Sequence, residues 1–470
     1  MGNLYIFAIG GTGSRVLRSL TFLLASGVKT NVDKIIPIII DTDVSNADTL
    51  RTTQLIIDYY NIKKELGKNQ KTKAFNVDLI PITELKDTNN SSITDNDFVL
   101  KLPSSLKIDL KEYLNFHRIE SEATKLLLES LYSEKNLNNE LTHGFLGSPN
   151  VGSIVLEAIT DSKEFEAFCN SFTNDDKIFI ISSIFGGTGA AGFPLILNTF
   201  IQGVEDGASN AIKDCTKGAV TVLPYFKLEQ DENSQIDSNN FITKTIAALS
   251  YYENNLKGLN ALYYIGDNES SKALKNFEGG QNQKNPANFV EVGAALSIVH
   301  FCNNNFDNNS CKYYEFAVET NERRLNFNNL GNNINEQIKI PLSVFKVFSW
   351  LHPHINTQVG STFATYFGIN NNFLTSKFYD NMSKFFNSFE DWLNELKDND
   401  YSFDTFDSPK SETDYKNLLN YKKSDKITKE NIINACADKN KRKLKTDNKK
   451  SSYLNLLYNS IEEVLIKNNI

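Results

Sequence analysis

The chain has 470 residues, 40% of them hydrophobic and 23% charged, with a formal charge of −8. That composition excludes a wholly disordered chain, and the length predicts two or three domains, because single cores rarely grow past about 250–300 residues. The acidic balance argues against nucleic acid as the principal ligand, while leaving room for a local basic patch.

No apolar run reaches the roughly 18 residues a membrane-spanning helix needs, so no membrane span is expected. The opening MGNLYIFAIGG lacks a basic leader and a cleavage site, so it does not read as a secretory signal. A myristoylation motif starting at Gly2 would want Ser or Thr where Ile6 stands. Cys169, Cys215, Cys302, Cys311 and Cys436 are few, odd in number and widely spaced. They predict a reducing, cytoplasmic setting without a disulfide framework. The five histidines complete no zinc spacing, so no protein-ligated metal is expected.

In chain order, Leu4 to Ile9 reads as a short apolar strand, followed by the loop Gly10-Gly11-Thr12-Gly13-Ser14. Val16, Leu17, Leu20, Leu23 and Leu24 then recur at helical spacing, and Ile35 to Ile40 is a near-continuous apolar strand. Strand, helix and strand at this length make a βαβ unit. Residues 60–140 are polar, with a helical stretch at 119–132 and a loop-like Thr88-Asn89-Asn90-Ser91-Ser92; they read as an insertion or an elaborated crossover. Order returns at Lys177 to Ile184, a strand feeding a second loop, Phe185-Gly186-Gly187-Thr188-Gly189-Ala190-Ala191-Gly192. A helix is expected from Pro194, strands at Ala219 to Leu223 and Ala261 to Ile265, a helix at 240–255 between them, and another helix starting near Pro286. This alternation predicts an α/β fold, a mostly parallel sheet with helices on both faces.

The texture changes near residue 335. Ile338 to Val347 and Thr362 to Ile369 look strand-like, and Phe378 to Leu396 is an aromatic-rich helix. The expected organisation is a nucleotide-binding domain over 1–285, a central helix at 286–304, a second α+β domain at 305–420, and a basic segment with a C-terminal helix at 421–470. Tyr453 to Ile466 is the candidate for that helix. The stretch 421–450 carries a local excess of basic residues, a solvated linker or a patch for nucleic acid or an acidic partner.

A strand feeding a glycine loop and then a helix suits phosphate. Glycine admits close approach of the anion, and the helix N-terminus offers N–H groups and partial positive charge. Two such loops with one Gly-Gly-Thr-Gly core weigh far more than one. Neither has the Gly-Lys-Ser/Thr of a P-loop, and Val16 stands where a dinucleotide fingerprint wants its third glycine. Asp41 ends the second strand as a ribose-binding acid would, which keeps an NAD-dependent enzyme as a remote alternative; that reading does not explain the second loop.

The second loop resembles the Gly-Gly-Gly-Thr-Gly-Ser/Thr-Gly signature of the tubulin/FtsZ superfamily of GTPases, with Gly186, Gly187, Thr188 and Gly189 matching. Phe185, Ala190 and Ala191 depart from it, while Pro194 matches the bacterial form. The first loop is similar to that family's N-terminal phosphate loop, and Ile40-Asp41-Thr42-Asp43 with Ala47 and Leu50 to the stretch after its second strand. Gly144 to Gly152, including Gly147, resembles its γ-phosphate loop. Pro224-Tyr225-Phe226 with Glu229 resembles its ribose-side loop. Asn285 to Glu291 looks like the central helix of the bacterial tubulin-like proteins. These pieces keep the family's order across residues 1–305.

The resemblance implies one GTP or GDP, with phosphates against Gly10, Gly11, Thr12, Gly13 and Ser14 and against Gly186, Gly187, Thr188, Gly189 and Ala190. It makes Asp267 or Asn268, and Asn288, the guanine candidates, and lets Asp43 reach a Mg²⁺ through water. It also implies head-to-tail filaments in which an acid from a neighbouring subunit completes hydrolysis. Asp307 matches the first acid of that catalytic loop, but Ser310 stands where the second should be; Glu319 and Glu322 are fallback acids. The alternative is a GTP-binding sensor or scaffold without polymerisation or turnover, meeting a protein partner through 60–140 or the C-terminal extension.

Overall fold

The computed structural model describes residues 2–43, 45–67, 71–85, 98–100, 108–141, 145, 147–203, 209–230, 236, 238–267, 273–277, 279–307, 310–316, 318, 322–407, 418–422 and 424–470. Its strands are β1 (Leu4–Ile9), β2 (Lys34–Ile40), β3 (Asp78–Leu79), β4 (Val99–Leu100), β5 (Lys177–Ser183) and β6 (Lys217–Val222). They continue with β7 (Lys227–Leu228), β8 (Ala261–Ile265), β9 (Ala273–Leu274), β10 (Lys312–Glu315), β11 (Arg324–Leu325) and β12 (Ser402–Phe403). The helices are α1 (Gly10–Ser26), α2 (Ala47–Leu66), α3 (Leu110–Tyr113), α4 (Glu122–Leu131), α5 (Glu134–Leu137) and α6 (Pro149–Val155). Next come α7 (Lys163–Ser171), α8 (Gly187–Gln202), α9 (Ser209–Asp214), α10 (Phe241–Asn255), α11 (Phe289–Asn303) and α12 (Asn332–Leu351). The last are α13 (Thr362–Phe367), α14 (Asn371–Leu374), α15 (Lys377–Lys397), α16 (Lys429–Ala437) and α17 (Lys449–Lys467).

The main sheet runs β10-β8-β6-β5-β1-β2, and β3 and β4 both pair with β2 on its outer edge. Every pairing in it is parallel. Continuous apolar runs make this possible, since a strand buried on both faces has no side to give to water. Alternate residues of β1 and β5 serve opposite faces. Phe7 meets Phe168 of α7 and Phe200 of α8, each with ring centres 5.0 Å apart. Phe179 meets Phe301 of α11 at 5.2 Å on the other face. The chain goes outward from β1 to β2, β3 and β4, then returns to β5 on the far side of β1. The order therefore reverses between β1 and β5, the kind of crevice where open parallel sheets bind ligands.

Within 60–140 the described residues place β3 beside the start of β2 and β4 beside its end. The stretch Thr88 to Ser92 lies outside the described residues. Pro194 does not start its helix: α8 begins at Gly187 and carries Pro194 inside. Proline lacks only its own N–H, and the first helical turn before it is built by glycines and alanines.

The C-terminal part is more helical than its sequence texture predicts. Ile338 to Val347 lies inside α12, and α13 covers Thr362–Phe367. The apolar residues there look strand-like, but α12 is buried at Ile338 and at every position from Leu342 to Leu351, a helix enclosed on all sides by the core. β10, just after α11, joins the main sheet beside β8. α12 and α15 pack on α1 and α2: Phe22 meets Trp392 at 5.0 Å and Phe385 at 5.6 Å, and Trp392 Nε1 donates to Ser19 Oγ at 3.3 Å. Consequently α1 is buried along almost its whole length. His352 is a core residue there, bonded to Tyr453 OH at 2.8 Å, and burial lowers its pKa to about 3. Among the described residues no helix is long and apolar enough to cross a membrane.

Candidate functional site

The two glycine loops lie side by side because β1 and β5, which feed them, are paired neighbours. A Cβ built on Gly10 would lie 3.3 Å from Thr188 Cβ and 3.6 Å from Gly189 N. Gly10 has a φ of +68°, a left-handed conformation that lets the chain turn from β1 directly into α1. Neither α1 nor α8 has a side-chain cap or an acid in its first turn. By contrast, α2 is capped by Asn46 and α11 by Asn288. The free N–H groups and the positive dipole ends of α1 and α8 thus open on one place.

That place is a cavity of about 960 Å³, its solvent-filled mouth included. Its polar lining includes Gly10, Gly11, Thr12, Arg15, Asp41, Asp43, Gly147 and Gly186 to Gly189. Its apolar lining includes Phe145, Phe185, Phe226, Leu228, Ile236, Phe241 and Phe277. Phe185 and Phe241 hold their ring centres 4.8 Å apart. Phe145 and Gly147 press on α8: a Cβ on Gly187 would come within 3.0 Å of Gly147 N and 3.2 Å of Phe145 Cβ.

Asp41 and Asp43 are buried at the C-terminal end of β2. Asp41 accepts from Asp43 N and from Thr49 Oγ1, each at 3.2 Å. Burial, with the neighbouring Asp43 charge adding to it, pushes the Asp41 carboxyl up to about 7. Asp43 accepts from Ser45 Oγ at 2.7 Å and from Gly280 N at 2.6 Å. Asn46 Nδ2 donates to Gln283 Oε1 at 2.5 Å, so the strip 279–285 is tied over the Asp43 turn.

Behind the first loop runs a buried chain of six charges. Arg15 Nε donates to Glu291 Oε1 at 2.6 Å, and Nη1 to Asp48 Oδ2 at 3.0 Å. Its Nη2 reaches Tyr225 OH at 2.8 Å and Thr12 Oγ1 at 3.2 Å. Arg51 pairs with Asp48 at 2.9 Å and with Glu395 at 2.7 Å, and Arg18 with Glu395 at 2.7 Å. The signs alternate from Glu291 through Arg15, Asp48, Arg51 and Glu395 to Arg18. Burial opposes the Arg15 charge, but Tyr225, Glu291 and Asp48 outweigh it and hold its pKa well above the ordinary value. Burial likewise raises the Glu395 carboxyl, and Arg18 and Arg51 more than reverse that.

Of the residues expected from sequence, Gly10, Gly11, Thr12, Asp41, Asp43, Gly147, Gly186, Gly187, Thr188 and Gly189 line the cavity. Gly13 and Ser14 stand just behind it. A Cβ on Gly13 would lie 2.7 Å from Ala8 C, and Ser14 Oγ meets Thr49 Oγ1 at 3.2 Å. Ala190 lies in α8 but not in the lining, and neither Pro224 nor Glu229 lines it; their neighbour Phe226 does. Glu229 ends the short pairing of β7 with β9 through its N–H to Leu274 O at 2.8 Å. Asn288 caps α11, accepting from Val290 N at 2.9 Å, and lines a small adjoining pocket rather than the cavity. Asn268 and Glu319 lie outside the described residues.

Asp307 is exposed at the other end of the subunit. Its carbonyl accepts from Asn260 Nδ2 at 2.9 Å, just before β8, whereas the glycine loops follow the ends of β1 and β5. Among the described residues no group of three or more His, Cys, Asp or Glu side chains could hold a metal ion.

Arg15, Asn46, Lys275, Gln283 and Asn285 also line the cavity, unforeseen from sequence. Arg15 stands two residues beyond the first Gly-Gly-Thr-Gly, and its position there was the available signal. Nothing local announces the amides, which the fold delivers from a distant strip.

No protein-family model and no curated protein matches the sequence. Among solved structures, the chain is similar to a GTPγS-bound protofilament of CetZ2 from Haloferax volcanii, at 11% identity and a TM-score of 0.31. That match covers 64% of this chain and 58% of the other. A GDP-bound monomer of CetZ1 from the same organism gives 13% identity and a TM-score of 0.30, covering 64% and 58%. CetZ from Methanosaeta thermophila strain DSM 6194 gives 13% identity and a TM-score of 0.28, covering 64% and 54%. The chain spans less than two thirds of the length of each of these three structures.

Proposed function

We propose that the chain binds a guanine nucleotide in the cavity between its glycine loops and assembles head to tail through that end of the molecule. The observation that carries this reading is the convergence of two uncapped helix N-termini, each opened by Gly-Gly-Thr-Gly, on a cavity lined also by aromatic side chains. The first-turn amides of α1 and α8 hold the phosphates, and Thr12 and Thr188 line the same wall. Phe226 and Phe241 receive the base, with the amides of Gln283 and Asn285 within the lining to meet its edge. The glycines fit this role because a side chain at Gly187 would press on the Gly147 backbone, narrowing the cradle.

A magnesium ion would take its ligands from phosphate and water, as that ion commonly does. Asp43 would meet it through water, since Ser45 and Gly280 already engage its oxygens. Asp307 stands at the opposite end from the cavity, which supports a role in the next subunit of a head-to-tail row, where it would orient water. The serine at position 310, in place of a second acid, favours the rival reading of a nucleotide-binding scaffold with little turnover.

Right-angle light scattering of micromolar protein with GTP and Mg²⁺, against GDP and ATP, separates these readings. A rise with GTP alone is expected; a flat trace with GTP shown bound leaves the scaffold. Gly187→Asp is expected to abolish GTP binding, and retained affinity would remove the loop assignment. Asp307→Ala is expected to keep binding and slow phosphate release; an unchanged rate would end its catalytic role.

A further inference from the structure

The basic segment near the C-terminus divides into two kinds of cation. Lys441 is buried against Glu463 at 2.6 Å, and Lys450 pairs with Glu65. Lys439, Arg442, Lys443, Lys445 and Lys449 are exposed and, among the described residues, have no carboxylate within ion-pair distance. The fold gathers three of them around the end of α13. Lys445 Nζ lies 4.3 Å and the Arg442 guanidinium 5.3 Å from the ring centre of Tyr366, which is 37% exposed. The Lys449 stem lies against Gly368, where a Cβ would come within 2.9 Å of its Cδ. An aromatic residue absent from the basic stretch itself is thus supplied from about eighty positions earlier in the chain.

We propose that this patch binds the phosphate backbone of nucleic acid. Five like charges, with only Asp438 and Asp447 among them in the stretch 438–450 and neither in ion-pair contact with the five, form a local positive field on a protein of net charge −8. The patch is polar and cationic, as nucleic-acid interfaces are. It offers little for a protein hot spot or a membrane. Leu444, the apolar residue amid the cations, is half-buried against the core, so Tyr366 is the one exposed ring there.

Fluorescence anisotropy of a short labelled DNA duplex with the full-length protein, started at about 50 mM salt, tests this. Binding is expected to weaken with salt with a log–log slope of about −0.9 per phosphate met, hence no steeper than about −4.5 for five cations. Lys439→Glu with Lys443→Glu, both exposed, should weaken binding at least tenfold and flatten the slope by about two units. Arg442→Glu with Lys445→Glu provides a second variant should the first fold poorly, and far-UV circular dichroism checks both. No binding at low salt, or unchanged binding in a folded variant, overturns the proposal. So does displacement of DNA by polyglutamate at equal charge, which would assign the patch to an acidic protein.

Discussion

Gly10 and Gly186 open the same four-residue motif on adjacent strands, yet they do different physical work. Gly10 sits at a φ of +68°, where a side chain is strained, whereas Gly186 has a φ of −80° that any residue adopts. The two loops also differ in what stands behind them. The first leads to Arg15 and its buried charges; the second leads to Ala191, which packs within 2.7 Å of the Cβ position of Gly152. A repeated motif therefore marks a repeated ligand geometry, while the support beneath each copy is electrostatic in one and apolar in the other.

The largest way to break this contrast is Arg15→Met. It leaves Glu291 and much of Asp48 without their countercharge, and removing one partner of a buried pair costs about 3–5 kcal/mol. Denaturant unfolding should show that loss, whereas Ala191→Ser at the matching place should cost less than about 1.5 kcal/mol. Next, Gly13→Ala and Gly189→Ala place a Cβ 2.7 Å from Ala8 C and 2.8 Å from Ser183 N, both backbone atoms. Each should destabilise by about 1–3 kcal/mol in thermal or denaturant melts. Equality of the two would show that both loops use their third glycine for room.

Asp41, at the end of β2 beside the first loop, should give the site a pH dependence. The folded pKa of Asp41, about 7, lies above its ordinary 3.8, so the folded state holds an extra proton between those values. Its contribution is fully present below pH 3.8 and is lost as pH rises through 7. Stability should then fall by up to about 1.4 kcal/mol per pH unit across that window, relative to Asp41→Asn. Comparing unfolding curves of the two proteins from pH 4 to 8 reads this slope. The smallest effect on folding is expected from Gly11→Ala, whose nearest atoms would be Arg15 Nη1 at 3.6 Å and Asn46 Nδ2 at 4.0 Å. Melting should stay within about 0.5 kcal/mol of the parent. Isothermal titration with GTP should nevertheless show weaker binding, because the new methyl stands in the cavity wall.

The strands and glycine loops were legible because each is a local pattern: an apolar run, then residues chosen for backbone shape or space. Arg15 was not, since its role depends on Asp48 and Glu291, 33 and 276 positions away. Asn288 was ambiguous for a related reason. An amide just before a helix suits both a base reader and an N-cap, and only the folded geometry shows it accepting from Val290 N. The Ile338 to Val347 stretch misled through its strand-like composition, because a helix enclosed all round, as Leu342 to Leu351 is, leaves no amphipathic period to read.

The placement of α1 also governs the order in which the molecule can be completed. This helix precedes its partners in the chain, yet it is enclosed by Asp48, Glu291, Glu395 and Trp392. At about 5–20 residues per second, its last neighbours leave the ribosome on the order of tens of seconds after it does. Through that interval an apolar helix and the unpaired edge of β1 remain uncovered, because β5 is also still unmade. The early chain is therefore a natural client for a holding chaperone, and slower translation lengthens its exposure to aggregation.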